Sequence, residues 1–169
     1  MRIGICGNGE SGKDTVAEFL RDKFGLRFSK GTSAWAADIV YREMKDLGYE
    51  YPSVKACWDD RRNHRKLWAD TIGEYNYGDP IRMYRELLEE QDILQGIRWL
   101  HEFEACKAAG LVDAWLYLDR PGTKDPTNQI RPEHCDFVIV NDGTVMQMLF
   151  QAWSWAREGY PAKQAAVVE

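Results

Sequence analysis

Five short apolar runs punctuate the chain: Ile3 to Cys6, Leu26 to Ser29, Asp92 to Gly96, Ala114 to Leu118 and Phe137 to Val140. Each is too short for a helix and reads as a strand. Between them hydrophobic residues return every three or four positions, the spacing of a helix with one buried face. Val16, Leu20 and Phe24 mark the first such helix. Ala36, Ile39, Val40, Met44 and Leu47 mark the second, and Trp68 with Ile72 the third. Met83, Leu87 and Leu88, then Leu100, Phe103 and Cys106, then Val145, Met148, Leu149, Ala152 and Trp153 complete the series. Gly25, Gly48 and Gly110 stand where helices end, and Thr144 with Gln147 forms a capping box for the last helix. Pro52 makes 49–57 a connection, while Gly73 through Pro80 breaks the chain before Met83. This alternation predicts an α/β fold with three layers, αβα, around a five-stranded parallel sheet. No internal repeat is visible, and 1–169 reads as a single domain with a peripheral tail from Gly159.

The junction of the first strand and first helix carries the clearest chemistry. Gly7-Asn8-Gly9-Glu10-Ser11-Gly12-Lys13 matches the phosphate-binding pattern G-x-x-x-x-G-K-[ST] up to its last position, where Asp14 replaces the hydroxyl residue. Such a loop turns successive N–H groups toward a phosphate, and the following helix presents its positive end to the same anion. Lys13 can then reach the outer phosphates of a nucleoside triphosphate. A carboxylate at Asp14 can ligate magnesium directly or through water, and Thr15 offers a hydroxyl beside it.

Composition narrows the partners. Hydrophobic residues make up 44 % of the 169, enough for a substantial core, and nothing in the sequence suggests disorder. A formal charge of −5 argues against a nucleic-acid backbone as partner. No stretch approaches the roughly 18 apolar residues of a membrane span, and the first residues lack the pattern of a signal peptide. Cys6, Cys57, Cys106 and Cys135 show no metal-ligand spacing, so reduced thiols in a cytoplasmic setting are expected. His64, His101 and His134 have no partners at catalytic spacing. Seven tryptophans suit a core, a pocket or an interface.

Other basic residues admit two readings. The cluster Arg61, Arg62, Arg65 and Lys66 is either a solvated helix face with internal ion pairs or a grip on a monophosphate through Arg65 or Arg62. Lys30, in a turn that opens a helix, is either a surface lysine or a second phosphate contact. Arg98 and Glu102 follow the third apolar run. They form either a surface ion pair at helical spacing or part of a ligand site at the carboxyl edge of a parallel sheet.

Several separated pieces together resemble the phage deoxynucleoside monophosphate kinases. Ser11-Gly-Lys-Asp-Thr15 is similar to that family's loop, which carries aspartate after lysine. Gly96-Ile-Arg98 through Glu102 to Gly110 resembles its D-x-R-x-x-x-E block, Arg120-Pro121-Gly122 its R-P-G, and Val138 through Asn141-Asp142-Gly143 its I-x-N-D-G turn. The departure is Gly96, where the family has an acid. The resemblance implies a P-loop kinase fold and transfer of the ATP γ-phosphate to a deoxynucleoside monophosphate, with Mg²⁺ as cofactor. It implies that Lys13, Arg98 and Arg120 are catalytic, and that Asn8, Gly9, Gly12, Lys13, Asp14, Thr15, Arg120, Asn141 and Gly143 bind ATP. Asp14 and Thr15 would hold the metal; Lys30, Arg65, Arg98 and Glu102 would bind the acceptor within a helical region of about 30–90. Arg131 would sit in a lid of about 119–134. A homodimer and a host-cytoplasm location are compatible with this. Two other readings stay open: a P-loop kinase for another small phosphorylated acceptor, and a nucleotide-binding protein without turnover.

Overall fold

The computed structural model describes residues 1–160, so most of the tail expected to be peripheral lies outside the described residues. Four strands pair in parallel: β1 (Ile3–Gly7), β2 (Ile93–Gln95), β3 (Ala114–Asp119) and β4 (Phe137–Val140), in the order β2-β1-β3-β4. The helices are α1 (Lys13–Phe24), α2 (Thr32–Trp35), α3 (Ala37–Asp46), α4 (Val54–Asp59), α5 (Arg65–Tyr75), α6 (Arg82–Glu90), α7 (Leu100–Ala108) and α8 (Val145–Arg157). Short 3₁₀ turns at Asp60–His64 and Pro132–His134 complete the regular structure among the described residues.

The fifth expected strand, Leu26 to Ser29, does not form, and the sheet has four strands. One backbone bond joins this segment to the β2 side, from the Asp92 N–H to the Arg27 carbonyl. Side chains take the remaining positions of a ladder: the Asp92 carboxylate accepts from the Arg27 N–H, and the Gln91 amide bonds to Ser29 and Lys30. The run is extended and adjacent to β2 but never enters regular pairing.

Alternation along β1 sets the layers. Ile3 and Ile5 face α1 and α8 in a cluster with Val16, Leu20, Leu116, Leu118, Ile139 and Trp155. Cys6 faces the other side, with Leu94, Trp115 and Tyr117 against α6 and α7. The Trp115 ring lies flat over Gly4, its register partner; a β-carbon there would stand 2.1 Å from the ring, so only glycine fits. A third cluster, Ala37, Val40, Met44, Cys57 and Trp68, belongs to α3, α4 and α5 alone.

Two expected breaks are displaced. Residues 49–57 are only partly a connection, because Ser53 caps α4 by accepting from the Ala56 N–H. Gly73 does not end a helix but lies within α5, where one exposed glycine costs only about 1 kcal/mol. All four cysteines are free thiols, and no described helix is long and apolar enough to cross a membrane.

Candidate phosphoryl-transfer site

The cradle is the turn between β1 and α1, at the carboxyl edge of the sheet. Glu10 holds a left-handed backbone at φ 63°, an unfavourable conformation for a residue with a side chain. The loop is braced on both flanks. Asn141 donates from Nδ2 to the Ser11 carbonyl at 3.0 Å, tying the turn before α8 to the cradle. Asn8 donates to the Thr123 carbonyl and accepts from Asn128, both at 3.0 Å, tying the cradle to the long segment after β3. That segment, expected as a lid, is thus docked on the loop.

Lys13 bends back over the loop, donating to the Asn8 carbonyl at 2.5 Å. Burial, with the nearby charge of Arg98, lowers its pKa to about 8 against the opposing pull of Asp14. A positive charge held with so little water is strongly stabilised by an arriving polyphosphate.

Arginines from three parts of the chain meet at the mouth of the cradle. Arg98 donates to Thr127 Oγ1 at 2.8 Å and to the Asp125 carboxylate. Arg65, at the start of α5, lies 3.8 Å from the same carboxylate oxygen. Arg62 pairs with the Glu10 carboxylate at 3.2 Å, and Arg120 donates to the Glu10 carbonyl at 3.0 Å. Arg61 stacks on Trp58 with its charge felt by Asp14. Asp125 organises much of this. Its side chain is 1 % exposed. Burial works to raise its pKa, but bonds from Thr127 and Arg98 outweigh that and hold it at about 2. Nothing short-range in the sequence marks Asp125 beyond the Asx turn it makes with Thr127, so its role was missed.

The remaining expected residues divide. Gly9 and Gly12 lie in the loop, Asp14 and Thr15 are exposed in the first turn of α1, and Gly143 lies in the turn behind Asn141. Lys30 is pinned through its backbone by Gln91. Arg131 is exposed, reaching the Asn128 carbonyl at 3.4 Å. Glu102 does not meet Arg98. It is 2 % exposed and accepts from Tyr84 and from Asn76. Gly96 has φ 104°, and a β-carbon there would stand 2.4 Å from Thr32 Oγ1. A side chain at this position would be strained by its backbone conformation and crowd Thr32.

An open groove of about 740 Å³ runs along α5. Arg65, Ala69 and Gly73 recur at four-residue spacing and share a helix face with Asn76. Ala69, Gly73 and Asn76 line the groove, with Trp99 and Glu102 opposite. The groove therefore begins one helical turn, about 6 Å, beyond Arg65.

Among the described residues no three His, Cys, Asp or Glu side chains cluster to hold a metal ion, so a magnesium ion here would rest on Asp14 and the phosphates it accompanies. Asp14 stands where the loop ordinarily has a hydroxyl, and the amide oxygen of Gln95 beside it is buried and without a hydrogen-bond partner among the described residues. Magnesium characteristically takes one or two protein oxygens and completes its shell with phosphates and water.

No protein-family model matches the chain, nor does any curated protein sequence. Among solved structures it is similar to a sugar kinase from Janibacter sp. HTCC2649, in an unliganded crystal form, with a TM-score of 0.50 and 15 % identity over 94 % of this chain and 95 % of that one. At that identity the likeness is one of fold: an α/β architecture with a parallel sheet, shared with a kinase.

Proposed function

We infer that the chain is a phosphotransferase that moves the γ-phosphoryl group of ATP onto a small acceptor which already carries phosphate, and that this acceptor is a deoxynucleoside monophosphate. The convergence of Arg62, Arg65, Arg98 and Arg120 on the mouth of the Lys13 cradle carries the reading. A triphosphate is served by the loop amides and one lysine; further guanidinium groups on the acceptor side suit a second anion. The groove along α5 then receives the rest of the acceptor, with Trp99 as an apolar wall. The fold likeness to a sugar kinase and the family resemblance of the sequence both favour a kinase.

Phosphoryl transfer needs positioning and charge compensation more than acid–base chemistry. Lys13 and the cradle N–H groups hold the donor phosphates. Arg98 and Arg65, held by Asp125, face the acceptor phosphate, and Arg120, fixed on the cradle backbone, offsets charge between the two. Asp14 and Thr15 would hold magnesium, which would supply positive charge against the phosphates. The docked segment around Asp125 keeps bulk water from the reacting group.

The test is ADP release measured across deoxynucleoside and ribonucleoside monophosphates, other phosphorylated metabolites and free sugars. Turnover with at least one deoxynucleoside monophosphate is expected, and Lys13→Ala should reduce it at least 10³-fold with melting unchanged within a few degrees. Asp70 and Glu74 at the groove rim favour acceptors that donate hydrogen bonds. Turnover with free sugars alone would replace the acceptor assignment.

A further inference from the structure

Enzymes built on this loop hold their metal between a hydroxyl beside the lysine and an acid from elsewhere in the fold. In this chain the charged and neutral partners stand the other way round. The carboxylate belongs to the loop, as Asp14, and β2, which pairs directly with β1, ends in the neutral Gln95. The two touch: Gln95 Nε2 donates to Asp14 Oδ1 at 2.6 Å. Gln95 is 5 % exposed, and its Oε1 is buried with no partner among the described residues. That oxygen lies 3.9 Å from the position a β-carbon would take on Gly31, on the side of the Lys30-Gly31 turn. The amide orientation is fixed by chemistry, since the reverse would set an oxygen against the carboxylate.

We propose that Gln95 is a positioning residue for the metal side of the nucleotide site. Its N–H holds one oxygen of Asp14 so that the other stays available to the cation, and its own Oε1 is the acceptor left for a water on that cation. Asp14 and Gln95 thus form a polarity-exchanged version of the usual hydroxyl–acid pair. This rests on the reading of the cradle as a nucleoside triphosphate site.

The experiment is ATP binding with Mg²⁺ and, separately, in excess chelator, together with Mn²⁺ binding to the ATP complex followed by electron paramagnetic resonance. Gln95→Met preserves volume and removes both polar atoms. Its affinity for ATP with metal should fall about tenfold and its Mn²⁺ affinity by a similar factor, while metal-free ATP affinity changes less than twofold. Gln95→Asn, which retains an amide too short to reach Asp14, carries the same expectation and serves if Gln95→Met does not fold. Asp14→Ser and Gln95→Asp should each lose metal-dependent affinity, and the double variant should recover to within about threefold of the native protein, as an exchanged pair requires. Equal losses with and without metal would make Gln95 a packing residue, and a double variant as weak as the product of the two singles would refute the exchange. Failure of the native protein to bind ATP at all would instead overturn the nucleotide reading beneath it.

Discussion

Beneath the cradle, β1 and β3 are clamped by α1 and α8, and Ile3, Ile5, Val16, Leu20, Leu116 and Leu118 are withdrawn from solvent. The helices α3, α4 and α5 close over a much smaller cluster, Ala37, Val40, Met44, Cys57 and Trp68. Much of what else fastens that second region is exposed ion pairing, such as Lys55 with Asp59 and Lys66 with Asp70, each contributing at most about 1 kcal/mol. Among the described residues it buries the indole N–H groups of Trp58 and Trp68 without hydrogen-bond partners, as β3 does that of Trp115, at a cost of about 1–3 kcal/mol each. The difference assigns the two regions different work. On the proposed function, the sheet would hold the donor side ready, and α3 to α5 would be the part to shift on closure around an acceptor.

Asp125 joins the two regions, so its loss should have the largest effect. Asp125→Ala frees Arg98 and Arg65 at once, and steady-state kinetics should show kcat/KM for the acceptor falling about 100-fold with ATP affinity changed far less. A fall confined to ATP affinity would move Asp125 to the donor side. The next effect separates the cores. Met44→Ala should raise local opening of α3 to α5 by about 2–3 kcal/mol, seen as faster amide hydrogen exchange there with β1 and β3 unchanged. Acceleration throughout the sheet would mean the two regions unfold as one unit.

The smallest effect concerns pH. Lys13 at about 8 binds its proton less tightly than a free lysine. Free protein therefore loses this charge above pH 8, and a bound triphosphate restores it. ATP affinity should fall by up to tenfold per unit above pH 8, with proton uptake on binding measurable by calorimetry in buffers of different ionisation heat. The same shift makes folding stability rise with pH between about 8 and the ordinary lysine value, because the unfolded chain holds the proton longer.

The cradle and four strands were legible because their signals are local: a glycine pattern, a buried run, a helix cap. Leu26 to Ser29 has the same local look, but whether it joins a sheet depends on Gln91 and Asp92, whose side chains take the bonds a strand would make. The Arg98–Glu102 spacing misled for a related reason. Helical spacing pairs two side chains only when both are in the helix, and α7 starts at Leu100 with Trp99 as its cap. Arg98 lies before the helix and turns to Asp125, while Glu102 faces inward to Tyr84. The partnership of Arg98 with Asp125 spans 27 positions and a docked segment, and no periodicity records it.

Phosphorus-31 nuclear magnetic resonance of the native protein with ATP, Mg²⁺ and a mixture of deoxynucleoside monophosphates tests the central claim most directly. The account predicts new diphosphate signals, of ADP and a deoxynucleoside diphosphate, growing in equal amounts as ATP declines. Conversion of ATP to ADP with inorganic phosphate alone, or an unchanged spectrum, would contradict it.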